Sequence, residues 1–311
     1  MHVAFIERGI GGLMQVFNLK SSPRWRSFLL TAMLFLLGAC HPNADRAILR
    51  VGLSEEPRTF NIWLAGDANS RKVLSQIYQP LYEREPRNLD FVPWLAAEMP
   101  RYDTRQQTYT VTLRKAQWSD GTPLTSADVA FTGALIKEFQ IPRYASKWKF
   151  IQKIETPDDA TVVFHLQRPY ATFLSGTLMV PIVPAHQWQP IAAAARKTKK
   201  PLAALLNHPI ADPIGCGPFV FRKWQQGNFV YLERNQRFFG MGQAINGRRL
   251  GPFIDGLLFK VYGTADVAVL ALRKGDIDLF WMGIQPGYLD MLAQAPHMRI
   301  FTNQKKIGKD S

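Results

Sequence analysis

Two segments of the chain alternate apolar and polar residues with the period of a β-strand. Residues 108–114 read Thr-Tyr-Thr-Val-Thr-Leu-Arg, and residues 161–166 read Thr-Val-Val-Phe-His-Leu. Because successive side chains of a strand point to opposite faces, each pattern predicts a half-buried strand. Pro-Asp-Asp at 157–159 is a turn signal before the second segment. We expect these two strands to pair in one antiparallel sheet.

Other segments show the spacing of helices and further strands. Apolar residues recur at helical spacing over Ser70–Leu81, which predicts a helix there. Thr125 and Asp128 have the spacing of a capping box, before Phe131, Leu135 and Phe139 recur every fourth residue. The sequence also predicts strands at 47–53, 219–224 and 228–234, a helix at 265–274 and a short strand after Gly275-Asp276-Ile277-Asp278.

The amino terminus has the layout of an export signal. Arg24 and Arg26 precede an apolar run at 28–37 that contains a single polar residue, Thr31. This run is shorter than the about 20 residues of a membrane-spanning helix but fits a secretion signal. Leu-Gly-Ala-Cys at 37–40 resembles the bacterial lipobox. That resemblance implies cleavage before Cys40 and acyl chains on it, which together give stable membrane anchoring. Met14 is an alternative start.

Composition and charge narrow the class of protein. The chain has 311 residues, of which 47% are hydrophobic and 20% charged, as in globular proteins. Its formal net charge of +14 suits an anionic partner, but the basic residues are scattered. The densest run, Arg-Lys-Thr-Lys-Lys at 196–200, is interpreted as a solvated helix end rather than a phosphate-binding patch. We therefore expect no nucleic-acid partner.

No catalytic constellation is visible in the sequence. A Gly-x-Ser-x-Gly elbow, a Walker phosphate loop and a Gly-x-Gly-x-x-Gly motif are all absent. The six histidines lie far apart and form no metal-ligand spacing with each other or with cysteine. Asp276 and Asp278 are interpreted as helix-end and turn residues rather than paired catalytic carboxylates. We expect no enzyme, no cofactor and no metal site.

Several sequence blocks, in order, resemble one protein family. They are Pro-Trp-Leu-Ala at 93–96, Tyr-Thr-Val-Thr-Leu-Arg at 109–114 with Trp-Ser-Asp-Gly-Thr-Pro-Leu-Thr at 118–125, Gly-Cys-Gly-Pro-Phe at 215–219 and Gly-Asp-Ile-Asp at 275–278. The chain from 47 to about 301 thus resembles the bacterial extracellular solute-binding proteins of family 5, the oligopeptide, dipeptide and nickel receptors of ABC importers.

The resemblance implies an α/β fold, a clamshell like the type II periplasmic binding proteins, with lobes I and II present and lobe III largely missing. The expected division is a leader at 1–39, the first segment of lobe I at 47–80, an inserted lobe II at 81–181, the second segment of lobe I at 182–260, and the start of a truncated lobe III at 261–311.

The resemblance also suggests residues of the ligand site. The candidates are Glu56, Pro57, Arg58 and Thr59 after the first strand, whose backbone groups are expected to bind a peptide in strand-like fashion, and Tyr144 with Trp148 nearby. Tyr144-Ala145-Ser146 resembles a lobe II segment whose tyrosine touches the ligand. The alternatives are a plain surface loop at 56–59 and ordinary packing of the two aromatic residues.

Residues 215–218 are expected to form the crossing between lobes near the hinge. Gly215 and Gly217 permit backbone angles that other residues resist, Cys216 is interpreted as a small buried residue rather than a reactive thiol, and Pro218 follows. A simple turn is the alternative.

The expected function is that of a substrate-binding lipoprotein of an ABC importer. It captures di- or oligopeptides outside the cytoplasmic membrane, is lipid-anchored through Cys40, and delivers its ligand to the permease subunits. The alternatives are an inactive truncated remnant of such a receptor, and a receptor of the same family for nickel or another solute.

Overall fold

A computed structural model describes residues 2–6, 46–86, 88–280, 284–295 and 298–302. The strands are β1 (His2–Ile6), β2 (Ile48–Leu53), β3 (Tyr82–Arg84), β4 (Phe91–Pro93), β5 (Arg101–Asp103), β6 (Thr108–Thr112), β7 (Ala116–Gln117), β8 (Pro123–Leu124), β9 (Ile151–Asp158), β10 (Thr161–Leu166), β11 (Phe219–Gln225), β12 (Phe229–Arg234), β13 (Ala244–Ile245), β14 (Arg248–Arg249), β15 (Gly256–Val261), β16 (Leu279–Phe280) and β17 (Met298–Thr302). The helices are α1 (Ala68–Leu74), α2 (Ser126–Phe139), α3 (Ala145–Trp148), α4 (Ala185–Arg196), α5 (Pro201–Leu206), α6 (Ala265–Lys274) and α7 (Leu289–Ala293), with a π-helical turn at Phe173–Thr177 and a 3₁₀ turn at Pro286–Tyr288.

Lobe I is built on a mixed sheet whose strands come from distant parts of the chain. The strand order is β11-β12-β15-β2-β16-β1-β17. Strand β2 lies parallel to both β15 and β16, while the other neighbours are antiparallel. The predicted strands at 47–53, 219–224 and 228–234 are confirmed as β2, β11 and β12. Parallel neighbours need long crossover connections, and the longest of these, between β2 and β15, contains lobe II.

Lobe II is built on an antiparallel sheet in the order β5-β6-β10-β9. The predicted pairing of the two alternating segments is confirmed, with Thr112 opposite Thr161 and Thr108 opposite His165. The chain enters and leaves this lobe side by side, because Pro80 and Pro181 form an isolated bridge. The assignment of 81–181 as a separate inserted lobe remains a prediction, although this bridge is the geometry that an insertion requires.

The predicted capping box opens helix α2 and also ties that helix to the rest of the molecule. The Thr125 amide donates to the Asp128 Oδ2 atom at 3.0 Å. The same buried carboxylate accepts from Trp118 Nε1 at 3.2 Å and from the amide of Ala185 at 2.8 Å. The helix ends at Phe139, where Gln140 takes a left-handed conformation. The motif therefore fixes three segments that are distant in sequence.

The predicted helix at 70–81 is wrong at both ends. Helix α1 starts earlier, because the Asp67 side chain accepts from the Ser70 amide at 2.7 Å and caps it. It ends at Leu74, and its apolar periodicity continues into turns. The carbonyls of residues 76 and 77 instead accept from the amides of Phe219 and Gly217 at 3.1 and 2.8 Å. Tertiary hydrogen bonds to the later segment have replaced the last helical turn.

One hydrophobic core runs continuously through both lobes, and a smaller cluster surrounds helix α6. The predicted helix at 265–274 is confirmed and closes at Gly275, which has a φ of 79°. Asp278 follows it and binds the Arg50 guanidinium, with Nη2 to Oδ1 at 2.5 Å. Asp278 thus anchors strand β2. This structural role agrees with the interpretation of Asp278 as a turn residue rather than a catalytic carboxylate. Among the described helices, none has the length and apolar character needed to cross a membrane.

Candidate functional site

A cavity of about 360 Å³ lies between the two lobes and contains the first candidate residue, Tyr144. Lobe I contributes helix α1 and the segment that follows it, through residues such as Arg71 and Gln79. Lobe II contributes the segment before and within α3, together with residues 179 and 181 at its exit. The cavity therefore sits where the chain passes twice between the lobes, which is where a ligand can contact both.

Tyr144 is held in place by aromatic contacts. Its ring packs edge-on against Trp63, with centroids 5.7 Å apart, and Trp63 packs in turn on Trp188 at the same distance. Tyr144 is 6% exposed. Burial raises the pKa of Tyr144, while Arg143 and Arg71 act in the opposite direction. The hydroxyl is accordingly neutral at physiological pH, and it is available as a hydrogen-bond donor.

Glu83 is the acidic residue of this cavity. Burial raises the pKa of Glu83 to about 7, which Arg248 opposes and Glu85 reinforces. Arg248 Nη2 lies 3.3 Å from Glu83 Oε1, and its Nε lies 3.5 Å from Glu85 Oε2. One guanidinium therefore serves two carboxylates. Because the pKa of Glu83 lies near neutrality, its charge changes over the physiological pH range.

Trp148 does not line this cavity, so its proposed ligand contact is corrected. Its side chain is fully buried in lobe II, where it packs on Phe164 with ring centroids 6.2 Å apart. A Cβ atom on Gly133 would come within 2.3 Å of the Trp148 ring, which shows how closely helix α2 covers it. Packing, the alternative for this residue, explains its position.

The candidate loop at 56–59 lies at a different cleft. Arg58 and Thr59 line a cavity of about 600 Å³ on lobe I, together with residues 206–211 and 221–224. Their amides donate to Ser70 Oγ at 2.9 and 3.3 Å, so those two groups already have a partner. Pro57 is buried, while the segment that follows the loop reaches the Tyr144 cavity through Ile62.

Glu56, in the same loop, accepts hydrogen bonds that have a structural role. One carboxylate oxygen accepts from Trp224 Nε1 and from the Gly227 amide, both at 2.8 Å. These contacts tie the loop to the β11–β12 hairpin. The structure thus does not bring Glu56 and Tyr144 to one cavity, and the role of the loop in ligand binding stays a prediction.

The crossing at 215–218 needs glycine because of close backbone contact. A Cβ atom on Gly215 would lie 2.1 Å from the Ile77 carbonyl oxygen, and one on Gly217 would lie 2.3 Å from that of Gln76. Neither glycine has a positive φ, so the expected reason, unusual backbone angles, is wrong. Pro218 continues the crossing, and its carbonyl accepts from the Asn235 amide at 2.9 Å.

Of the two cysteines, Cys216 lies within the described residues and Cys40 does not. Cys216 is fully buried in the crossing, and burial raises the pKa of its thiol to about 12. That environment fits a packed residue rather than a nucleophile. Cys40, the predicted lipidation site, lies outside the described residues. Within the part of the chain that is described, no three His, Cys, Asp or Glu side chains come together as metal ligands.

The charged lining of the cavity was missed by sequence reasoning. Arg143 and Lys147 flank the Tyr144-Ala145-Ser146 segment, so their closeness to Tyr144 follows from a helical turn starting there. Arg71 and Glu83 are separated from that segment by about sixty or more residues. Tertiary packing brings them to the cavity, between the two lobes for Arg71 and within lobe II for Glu83, and no local pattern carries that information.

Comparison with known proteins gives consistent results. Residues 90–308 match the profile of "Bacterial extracellular solute-binding proteins, family 5 Middle". The oligopeptide-binding protein AppA of Bacillus subtilis is 30% identical over 246 residues, which cover 75% of this chain and 40% of AppA. The chain thus spans less than half the length of this relative.

Solved structures show the same fold. The structure of AppA in complex with a nonapeptide matches with a TM-score of 0.64 at 26% identity, covering 80% of this chain and 46% of AppA. A periplasmic oligopeptide-binding protein from Thermotoga maritima, bound to mannohexaose, matches with a TM-score of 0.67 at 26% identity, covering 81% of this chain and 44% of that protein.

The expected α/β architecture, like that of type II periplasmic binding proteins, is confirmed by these neighbours. The family profile covers more than half of the chain, and the matched range includes the capping box, the crossing and the segment around Asp278. The chain belongs to the bacterial extracellular solute-binding proteins of family 5.

Proposed function

We propose that this protein is the substrate-binding component of a bacterial ABC importer, which captures peptides outside the cytoplasmic membrane and delivers them to the permease subunits. The observation that carries this proposal is the cavity between the lobes, which presents the Tyr144 hydroxyl beside polar and charged side chains. Membership of a solute-binding family supports a binding role rather than catalysis.

The ligand class rests on the relatives. AppA is by name an oligopeptide-binding protein, and its structure holds a nonapeptide. A peptide bound in extended form is recognised through its main chain, with pockets that accept alternate side chains. The cavity offers such a ligand the neutral Tyr144 donor and the apolar surface of Ile62 and Met179.

Binding is tested by calorimetric titration of the protein with tri- and tetrapeptides. A Tyr144→Ala variant should lose affinity by about tenfold, which corresponds to one hydrogen bond and the aromatic contact. Tyr102→Ala is the matched control, because Tyr102 stacks on Tyr109 at an exposed position away from the cavity. Absence of saturable binding by any peptide would instead favour the inactive remnant.

The proposal includes a lipid anchor on Cys40 that keeps the receptor beside its permease. Two acyl chains are needed for stable anchoring. Metabolic labelling with a fatty acid should mark the wild-type protein and leave Cys40→Ser unlabelled, and the variant should move from the membrane fraction to the soluble exported fraction. A Cys216→Ser variant, changed at the buried thiol, is the control that should keep its label.

A further inference from the structure

The cavity between the lobes contains a cluster of cations around one aromatic ring. Arg71 comes from helix α1 of lobe I, whereas Arg143 and Lys147 come from lobe II. The Arg143 guanidinium carbon lies 5.6 Å from the centroid of the Tyr144 ring, and Lys147 Nζ lies 5.8 Å from it. Both lobes therefore direct positive charge toward the same side chain.

These cations have no carboxylate partner in the described part of the chain. Arg71 Nη1 donates to the Gly66 carbonyl at 2.7 Å, and Arg143 Nη1 donates to the Ala65 carbonyl. Both acceptors are neutral, so the contacts orient the guanidinium groups without compensating their charge. Lys147 forms no ion pair with any described residue either.

The cavity's acidic residue is engaged elsewhere. Among the described lining residues, Glu83 is the one carboxylate, and it pairs with Arg248. Its raised pKa further reduces the negative charge that it contributes near neutral pH. The lining consequently carries an excess of positive charge that nothing in the described fold neutralises.

The Tyr144 hydroxyl adds a neutral donor to this cluster. The packing against Trp63 fixes the Tyr144 ring, and Tyr144 lines the cavity. Arg71 and Arg143 both influence its ionisation, as expected for guanidinium groups close to the phenol. A fixed donor beside guanidinium and ammonium groups is a donor set that suits a carboxylate.

We propose that this cavity selects ligands that carry a carboxylate beyond what a neutral peptide backbone offers, such as peptides with acidic side chains. The carboxylate sits against Arg71, Arg143 and Lys147, with the Tyr144 hydroxyl as a further donor. Clustering like charges opposes folding unless an anion joins them, so the arrangement is suited to a bound negative group. This inference rests on the proposed receptor function and refines its ligand class.

The test compares three probes in calorimetric titrations of the wild-type protein. They are tetra-alanine, its C-terminally amidated form, and a tetrapeptide in which the two central alanines are replaced by glutamate. We expect the glutamate peptide to bind about tenfold more tightly than tetra-alanine, as for one added charged hydrogen-bonded contact. The amidated form separates a requirement for the terminal carboxylate from a preference for acidic side chains.

Variants show whether the cluster causes the preference. Arg143→Gln should reduce binding of the glutamate peptide about fivefold more than binding of the amidated peptide, because an exposed charge is partly screened. Arg168→Gln is the matched control: Arg168 also lies over an aromatic ring, 4.2 Å from the centroid of Phe150, but it does not line the cavity. Raising the salt from about 0.05 to about 0.5 M should shrink the preference as well.

The outcomes separate the two proposals. Equal affinity for the glutamate and amidated peptides, with no effect of Arg143→Gln, would overturn the anion preference and leave peptide binding intact. Failure of all three peptides to bind would remove the receptor function itself. If amidation weakens binding but the two glutamates do not strengthen it, the cluster recognises the carboxylate of the chain terminus. The proposed preference for acidic side chains would then be wrong.

Discussion

The crossing at 215–218 and the cavity beside Tyr144 border the same stretch of lobe I but are built differently. At the crossing, backbone meets backbone: the Gly217 amide donates to the Ile77 carbonyl at 2.8 Å, and no side chain fits at 215. At the cavity, exposed or half-buried cations contact only neutral carbonyls and an aromatic face. Packing explains why the crossing contains glycine, but packing does not explain why the cavity contains these cations.

That difference separates what the fold needs from what a ligand needs. A residue whose replacement leaves the fold unaffected is free to be selected for binding, whereas one in a backbone crossing is not. The contrast yields a graded series of expectations. Substitutions at the crossing and in the buried Asp128 network should affect stability strongly, and those in the cavity should affect it least.

Gly215→Ala is expected to have the largest effect. Its Cβ would lie 2.1 Å from the Ile77 carbonyl oxygen and 2.6 Å from the Ile77 Cγ2 atom, so backbone must move. We expect a loss of about 3 kcal/mol in the free energy of unfolding, measured by urea denaturation. Gly287→Ala is the control, because a Cβ there meets nothing within 4 Å. Equal stability of the two variants would contradict the close crossing.

Asp128→Asn should have the next largest effect. The carboxylate accepts from the amides of Thr125 and Ala185 and from Trp118 Nε1. An asparagine amide turns one acceptor into a donor that faces other donors, at an expected loss of about 2 kcal/mol in the free energy of unfolding. Asp103→Asn is the control, since Asp103 also accepts from two amides but at an exposed turn. A similar loss in both variants would show that burial adds nothing.

Local patterns predicted the parts of the fold that depend on near neighbours. The pairing of 108–112 with 161–165 followed from alternation, and helix α6 followed from its apolar spacing and closing glycine. The helix predicted at 70–81 failed because the carbonyls of residues 76 and 77 bind the distant segment around Gly217. Hydrophobic spacing reports burial, and it cannot distinguish a helix from a buried turn whose hydrogen bonds go elsewhere.

The candidate site was likewise predictable from the sequence only where the signal was local. Tyr144, suggested by its family-like segment, lines the cavity between the lobes, and its contact with a ligand stays a prediction. Trp148, close by in sequence, lies in the core because helix α2 covers it. Arg58 and Thr59 line another cleft. Arg71 reaches Tyr144 only through the packing of the lobes. Such a contact depends on tertiary geometry, which a single sequence does not encode in any local pattern.

Glu83→Gln tests the charge state of the cavity. Burial raises the pKa of Glu83 in the folded protein from 4.5 to about 7, so between these values the folded state binds more protons than the unfolded state. Stability from this group is therefore full below about pH 4.5 and is lost as the pH rises toward 7. Since the side chain is 26% exposed and faces Arg248, we expect a change on the order of 1 kcal/mol after screening.

Urea denaturation at about pH 5 and about pH 8 measures this effect. The wild-type protein should lose more stability between the two values than Glu83→Gln does, because glutamine keeps the neutral shape at both. Glu98→Gln, at an exposed position beside Arg101, is the control and should retain the wild-type pH dependence. Parallel pH profiles for the wild type and Glu83→Gln would argue against a buried, titrating Glu83.

Arg143→Gln should have the smallest effect on stability and completes the comparison. The guanidinium is exposed, has no ion-pair partner among the described residues and contacts the Ala65 carbonyl and the Tyr144 ring. We expect the free energy of unfolding to change by less than about 0.5 kcal/mol, or to rise slightly as repulsion from Lys147 falls. A loss of stability as large as that of Asp128→Asn would make Arg143 a structural residue. Unchanged stability together with weaker binding of an acidic peptide would instead assign the charge to the ligand, because nothing in the described fold then requires it.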